Sequence, residues 1–398
     1  MHLSTKILIG LGLGVLAGLG LGAQGLPFAK AWIAPFGAIF LNLIKMIIVP
    51  LVFASLIVGV CGLGDVRKIG RIGTKTVAYY LGTTAFAILL GLALGTIIEP
   101  GMGLTLPGAG VKAASKAAPP IMQVIVDIFP SNPLDAMLKA NMLQIIVFAL
   151  FLGGGIAVVG ERAKTVYNFF DGLAEVCYSI VGMIMVFAPF GVFALIAPVV
   201  AANGPSVLLP LVKVIVAVYL GCLLHAFVVY GSMLRFIGGY NPIQFFRNIL
   251  PAQLVAFSTC SSSATLPVNM ECVQKMGVSK EISSFVLPLG ATINMDGTAL
   301  YQGVCALFVA QIYGIDLTSA QMMTIILTGT LASIGTAGVP GAGLIMLTLV
   351  LQSVGLPLEG VALVAGIDRV LDMPRTTVNI TGDAVVAYLI EKSEGKHA

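Results

Sequence analysis

Apolar residues along the chain fall into ten long runs, at 6–24, 34–63, 76–98, 134–160, 166–199, 206–234, 248–270, 282–312, 321–355 and 360–390. A helix needs about 20 predominantly apolar residues to cross a bilayer, and these runs leave little chain between them. The pattern predicts an all-α polytopic membrane protein. The first run follows Lys6 and ends near Ala23–Gly25, in the manner of a secretory leader. With apolar runs continuing behind it, it reads as an uncleaved first helix.

The polar positions set the topology. Arg67, Lys68, Arg71 and Lys75 share one connection, Arg162 and Lys164 another, and Arg235 and Arg247 flank a third. Lys275 and Lys280 follow, and Lys392 and Lys396 close the chain, whereas 199–210, 313–320 and 356–360 hold neither Lys nor Arg. Basic connections stay in the cytoplasm, which puts both termini inside, with Lys30, Lys112 and Lys116 as exceptions. Two runs then break the alternation. Both connections of 248–270 are basic, and both connections of 321–355 are not, so each run enters the membrane and returns to its own side.

A re-entrant segment needs a non-helical tip, tolerated at depth only inside protein or beside a cavity. The sequence supplies two tips, STCSSSATLP at Ser258–Pro267 and GTAGVPGAG at Gly335–Gly343. The fold class expected is therefore eight transmembrane helices plus two opposed re-entrant helical hairpins, arranged as inverted repeats around a midplane site. Small residues that only tighten helix packing would explain one such motif. They do not explain three adjacent serines, a Val-Pro-Gly break and the matching charge pattern together.

Composition narrows the class further. Of 398 residues, 58% are hydrophobic and 10% charged, against roughly a quarter charged in soluble domains. Mean hydropathy is +1.03. The net charge of +4 is dispersed and gives nucleic acid no footprint. The six cysteines are scattered, without CxxC or clustered His, and read as packing residues rather than a zinc or disulfide framework.

Ionisable residues mark the chemistry. Asp296 lies in a stretch, 282–367, that has no Lys or Arg, and the last run carries Asp368, Arg369, Asp372, Arg375 and Asp383. Six such residues facing lipid at mid-depth would cost on the order of 15–20 kcal/mol, so they face a polar interior. At about 100° per residue, Asp368, Asp372, Arg375, Asn379 and Asp383 share an arc of roughly 80°. The stripe serves either an internal ion-pair network or ligands. A guanidinium fork suits bidentate capture of a carboxylate, and buried carboxylates suit an ammonium or metal cations. Asn294 and Asp296 converge only if the helix unwinds at NMDGT, Asn294–Thr298, which Gly297 permits; a plain helix end in a loop is the other reading. Tyr80, Thr83 and Thr84 are weaker signals whose hydroxyls bond back to helix carbonyls, and His225 is expected to pack rather than shuttle protons.

Other classes fit less well. Gly335–Gly343 lacks the following Lys-Ser/Thr of a phosphate-binding loop. The serine run lacks an oriented base for a hydrolase. A channel would need rings or a continuous filter.

In its motifs SSSATLP (Ser261–Pro267), NMDGT (Asn294–Thr298), GTAGVPGAG (Gly335–Gly343) and DMPRTTVNITGD (Asp372–Asp383), the chain resembles the glutamate/aspartate transporter family, the dicarboxylate/amino acid:cation symporters, in its prokaryotic sodium-coupled branch. The similarity runs over nearly the whole chain. It implies a homotrimer in the cell membrane that works by an elevator mechanism. Scaffold spans would lie in 1–75 and 101–205, and the moving transport domain would comprise 76–100 and 206–398, with hairpins near 242–276 and 320–355.

By matching position, the resemblance assigns Arg375 to the substrate side-chain carboxylate and Asp372 to its amino group. Ser262, Ser263, Thr298, Val339, Gly343, Thr376 and Asn379 would complete that pocket. Sodium ions would be held by Gly290, Asn294, Asn379 and Asp383, by Tyr80, Thr83, Thr84 and Asp296, and by backbone around Thr292, Ser333, Ile334 and Thr336. Neutral amino acid relatives lack the Arg at 375, and the C4-dicarboxylate branch lacks the Asp at 372 and has Asn at 383. The implied partners are therefore an acidic amino acid, sodium and lipid, with a proton- or sodium-coupled C4-dicarboxylate symporter as the alternative. The chain departs from the family pattern at Cys260, where many prokaryotic relatives have Arg, at Met373, where animal relatives have Arg, and at Pro374. Arg369 is expected to supply the missing charge.

Overall fold

The structure is a computed structural model that describes residues 3–61, 66–104, 126, 129–334, 338 and 341–394. The described residues contain fifteen α-helices, linked in places by short 3-10 or π turns, and no strand. Four stretches among them are long and apolar enough to cross a membrane: Ile9–Phe40, Arg71–Ile98, Gln144–Ile184 and Leu208–Ile237.

Helix α1 (Leu3–Phe28) is broken at Gly22, whose φ of 52° ends the first apolar run within two residues of its expected limit. A π turn, Ala29–Ile33, leads into α2 (Ala34–Cys61). After α3 (Val66–Ile98) come the short α4 (Pro133–Leu138), then α5 (Met142–Val159), α6 (Lys164–Val186) and α7 (Ala188–Asn203). Helix α1 lies along α7 through Gly10, Gly14 and Gly18, where any Cβ would strike Pro189, Ile196 or Ala197. Small residues at this spacing let two helices approach closely in lipid. Helices α1, α2, α5, α6 and α7 pack mainly on one another.

Helix α8 (Leu208–Leu224) continues into two π segments, His225–Tyr230 and Met233–Ile237. Helices α9 (Pro242–Thr259) and α10 (Ser262–Lys275) pack together as a pair. Their joint is chemically explicit. Cys260 adopts the left-handed region, φ 54°, and ends α9, while the Ser261 hydroxyl accepts the Ala264 amide at 3.1 Å and starts α10.

Helix α11 (Lys280–Ile293) is separated from α12 (Asp296–Ile312) by Asn294 and Met295, which are non-helical. The break expected at NMDGT is therefore present. A second pair, α13 (Ser319–Ser333) and α14 (Ala342–Ser353), also packs together, and α13 opens on a capping box of Thr318 and Gln321. The tip between them lies largely outside the described residues. The last helix, α15 (Val361–Glu394), has 34 residues, a length of about 51 Å. It packs on α8, α9, α10, α11 and α12, and α12 is buried along almost its whole length beside it.

Candidate functional site

The buried charged side chains of the described core are Asp296, Asp368, Asp372, Arg375 and Asp383. Only Asp368 and Asp372 lie against that guanidinium, whereas Asp296 meets His225, the one other buried titratable base among the described residues, and Asp383 meets Asn294. A buried charge without a partner is strongly destabilising, so each carboxylate beyond the reach of Arg375 needs a cation or a proton.

Arg375, fully buried, is framed on three sides. Its Nη1 donates to Asp368 Oδ1 at 2.9 Å, and Nη2 lies 3.0 Å from Asp372 Oδ1 without hydrogen-bond alignment. The Tyr301 ring lies under the guanidinium, 4.0 Å from centroid to Cζ. On the remaining side a Cβ at Gly343 would come within 2.9 Å of both Nη atoms, so Gly343 leaves the guanidinium its room. Nε and Nη2, which form one edge of the fork, have no hydrogen-bond partner. Asp368 holds Nη1, and the Nε and Nη2 edge, with Asp372 alongside Nη2, keeps two donors without an aligned acceptor.

Thr376 donates to Asp372 Oδ1 at 3.2 Å. Asn379 accepts the Gly297 amide at 2.8 Å, and its Nδ2 lies 3.3 Å from the Thr298 hydroxyl. Gly297 matters here for close packing, since its Cβ would strike the Arg375 carbonyl; the unwinding itself falls at Asn294 and Met295. Ser262 is buried and Ser263 exposed at the start of α10. The tip around them reaches the second glycine-rich segment, because Ser261 Oγ donates to the Gly338 carbonyl at 2.7 Å. Val339 lies outside the described residues. Pro374 is buried within α15 without ending it, and its missing N–H frees the Val370 carbonyl. The Tyr219 hydroxyl fills that gap, donating at 3.0 Å.

One group of the expected ion ligands assembles. Asn294 Nδ2 donates to Asp383 Oδ1 at 2.9 Å and to the Asn379 carbonyl at 3.1 Å. Gly290 abuts both Asp383 Oδ1 and the Tyr80 hydroxyl. Asn294 Oδ1 is buried without a protein partner, a hard oxygen beside a carboxylate. These donors fit an alkali cation.

The second group rearranges. Thr84 donates to Asp296 Oδ1 at 2.6 Å, but Tyr80 donates to the Val286 carbonyl at 3.0 Å, and Thr83 bonds back to Tyr79 and Tyr80. Two unexpected residues take their place at Asp296. Tyr230 donates to Oδ2 at 2.7 Å, and His225 Nε2 lies 3.1 Å from the same oxygen. Asn294 and Asp296 therefore serve separate partners instead of converging. In the third group, Thr292 is exposed and bonds back to Leu289, Ser333 bonds back to Thr330, Ile334 is buried, and Thr336 lies outside the described residues.

Apolar helices of spanning length, a helix broken inside the core and a cluster of buried carboxylates around one guanidinium and one imidazole fit a membrane transporter for charged solutes and ions. The chain belongs to the sodium:dicarboxylate symporter family, which it matches over residues 3–393. It is 40% identical to a proton/sodium-glutamate symport protein of Geobacillus stearothermophilus, over 99% of this chain and 95% of the relative. It is 38% identical to a proton/glutamate-aspartate symporter of Escherichia coli (strain K12), over 99% and 93%. A C4-dicarboxylate transport protein of Bacillus subtilis (strain 168) is 33% identical over 99% and 94%. The protein is thus a transporter and not an enzyme.

Proposed function

We propose that the chain imports L-aspartate or L-glutamate by symport with sodium. The observation that carries this reading is the divided guanidinium of Arg375. Asp368 holds Nη1 and Asp372 forms an ion pair with Nη2, while the Nε and Nη2 edge, with no aligned acceptor, suits bidentate capture of a side-chain carboxylate. Asp372, on the same side, is placed to take an ammonium group. A dicarboxylate without an amino group would leave Asp372 facing added negative charge, which disfavours the C4-dicarboxylate reading. The relatives at 40% identity carry glutamate in their names, while C4-dicarboxylate relatives reach 38% over 90% of this chain.

Sodium is the cation we assign to the Gly290, Asn294, Asn379 and Asp383 group, and to Asp296 with Thr84. Its charge offsets the buried carboxylates, so substrate and cation bind with mutual support. Substrate would sit beside Ser262, Ser263, Thr298, Thr376, Asn379 and Gly343, under the segment containing Val339. We further infer eight spans with two re-entrant hairpins, α9–α10 and α13–α14, cytoplasmic termini and a homotrimer. Residues 76–100 and 206–398 would move as an elevator against a scaffold of 1–75 and 101–205. The preferential packing of α1, α2, α5, α6 and α7 among themselves supports that division.

Uptake of labelled L-aspartate into proteoliposomes tests the proposal. Uptake under a sodium gradient, not driven by a proton gradient alone and not blocked by excess succinate, is the expected result. Uptake driven by protons alone, or abolished by succinate, would favour a proton-coupled or dicarboxylate carrier.

A further inference from the structure

Arg369 lies one turn before the Arg375–Asp372 group, and its target is backbone. Its Nη2 donates to the Ser258 carbonyl at 3.2 Å and the Thr259 carbonyl at 3.4 Å. These are terminal carbonyls of α9, which carry the negative end of the helix dipole and have no acceptor role left inside the helix. Cys260 follows immediately in a left-handed conformation, one that costs an L residue about 1–3 kcal/mol and persists only when its surroundings hold it. Beyond it stand Ser261, bonded to Gly338, and then Ser262 and Ser263.

We propose that Arg369 is a positioning residue that pins the α9–α10 tip to α15, so that Ser262 and Ser263 face Arg375 and Asp372. It satisfies the end of α9, holds the strained Cys260 joint and fixes where α10 begins. Its positive charge thereby serves the site through the tip and not through direct contact with the ligand. The inference rests on the reading that this tip borders the substrate. Two other polar links join the pair to α15 farther from the tip, from Gln253 to Thr381 and from Asn269 to the Ile380 carbonyl, each 3.0 Å. Loss of Arg369 therefore cuts the tip's own link to α15, leaving it only the bonds of Ser261 and Ser263 to the Gly338 carbonyl, while the rest of the pair stays docked.

The test is hydrogen–deuterium exchange on the full chain in lipid nanodiscs, with aspartate uptake in proteoliposomes beside it. Arg369→Ala should speed exchange of amides 257–264 by about tenfold or more, the scale of lost charge-assisted bonds, with α12 and the rest of α15 unchanged. The KM for aspartate should rise by about tenfold with a smaller change in maximal rate, and Arg369→Lys should recover much of both effects. Unchanged exchange at 257–264, or equal acceleration in α12, would overturn the proposal. If the parent protein takes up no aspartate, the substrate reading fails, and the exchange data still decide the role of Arg369.

Discussion

Tyr230 and Asp296 are joined by a 2.7 Å hydrogen bond, and His225 meets the same carboxylate oxygen at 3.1 Å. His225 and Tyr230 are five residues apart. On an α-helix that spacing turns side chains about 140° away from each other. The π segment at His225–Tyr230 widens the turn and brings both onto one oxygen, in keeping with the frequent placement of such bulges at functional sites. The spacing of α8 is thus bent to serve a residue on α12.

Tyr230→Phe removes one donor from a carboxylate with no exposure to solvent. The cation-free protein should lose about 1–3 kcal/mol, the cost of an unmet buried acceptor. A bound cation would compensate Asp296, so the loss should be smaller in sodium. Thermal unfolding in detergent with choline and then sodium as the cation checks this. The sodium-induced rise in Tm should be larger in the variant than in the parent, and an equal or smaller rise would contradict the assignment.

Much of the site was legible in the sequence because its residues share one helix. The stripe Asp368, Asp372, Arg375, Asn379 and Asp383 follows from α-helical geometry alone, and the structure buries all five. The break at Asn294 and Met295 was legible too, from two polar residues and a glycine inside an apolar run. What pattern reading could not supply were partners brought in from other helices. Tyr230 has no marker in an i, i+4 scan, and its π geometry is set by tertiary contact. The same holds for Tyr219 at the carbonyl freed by Pro374, and for Arg369, whose acceptors are backbone atoms 111 and 110 residues away. Hydropathy also cannot separate a full span from a paired hairpin, since both read as long apolar runs.

Gly343→Ala probes the space over Arg375. The added carbon would lie 2.9 Å from both Nη atoms, tighter than real contacts usually allow. The guanidinium is already fixed by Asp368 and Tyr301, so it cannot yield freely. Overpacking of this kind costs about 1–3 kcal/mol, which predicts a rise in aspartate KM of roughly ten- to a hundredfold. Circular dichroism should show the helical content unchanged. A variant with parental KM would mean that the Nε and Nη2 edge of Arg375 does not receive the substrate.

Asp383→Asn tests the cation group nearest α11. Asn294 Nδ2 donates to Asp383 Oδ1 at 2.9 Å, and the substituted amide would keep one oxygen there but lose the charge. If sodium is bound by that carboxylate, the sodium concentration for half-maximal aspartate uptake should rise about tenfold or more. Stability without sodium should hold or improve, because a buried uncompensated charge is removed. Unaltered sodium dependence in this variant would move the cation to another group.

At the end of α15, Glu394 forms ion pairs with Arg71 and with Lys75 at 2.9 Å, tying the last helix to α3. The bond from Lys75, then that from Arg71, lowers the Glu394 carboxyl pKa below its ordinary value. A depressed folded-state pKa stabilises the fold at pH values above the unfolded pKa, and the effect disappears as pH falls through the folded value. The pairs lie at the protein surface, with Arg71 exposed and Lys75 and Glu394 half-buried, so their worth is about 1 kcal/mol and should shrink in high salt. Glu394→Gln should therefore lower Tm by a degree or so at neutral pH and low salt. The two proteins should converge as acid protonates the parental carboxyl, and a Tm gap that persists there would place the effect of Glu394 in packing rather than charge.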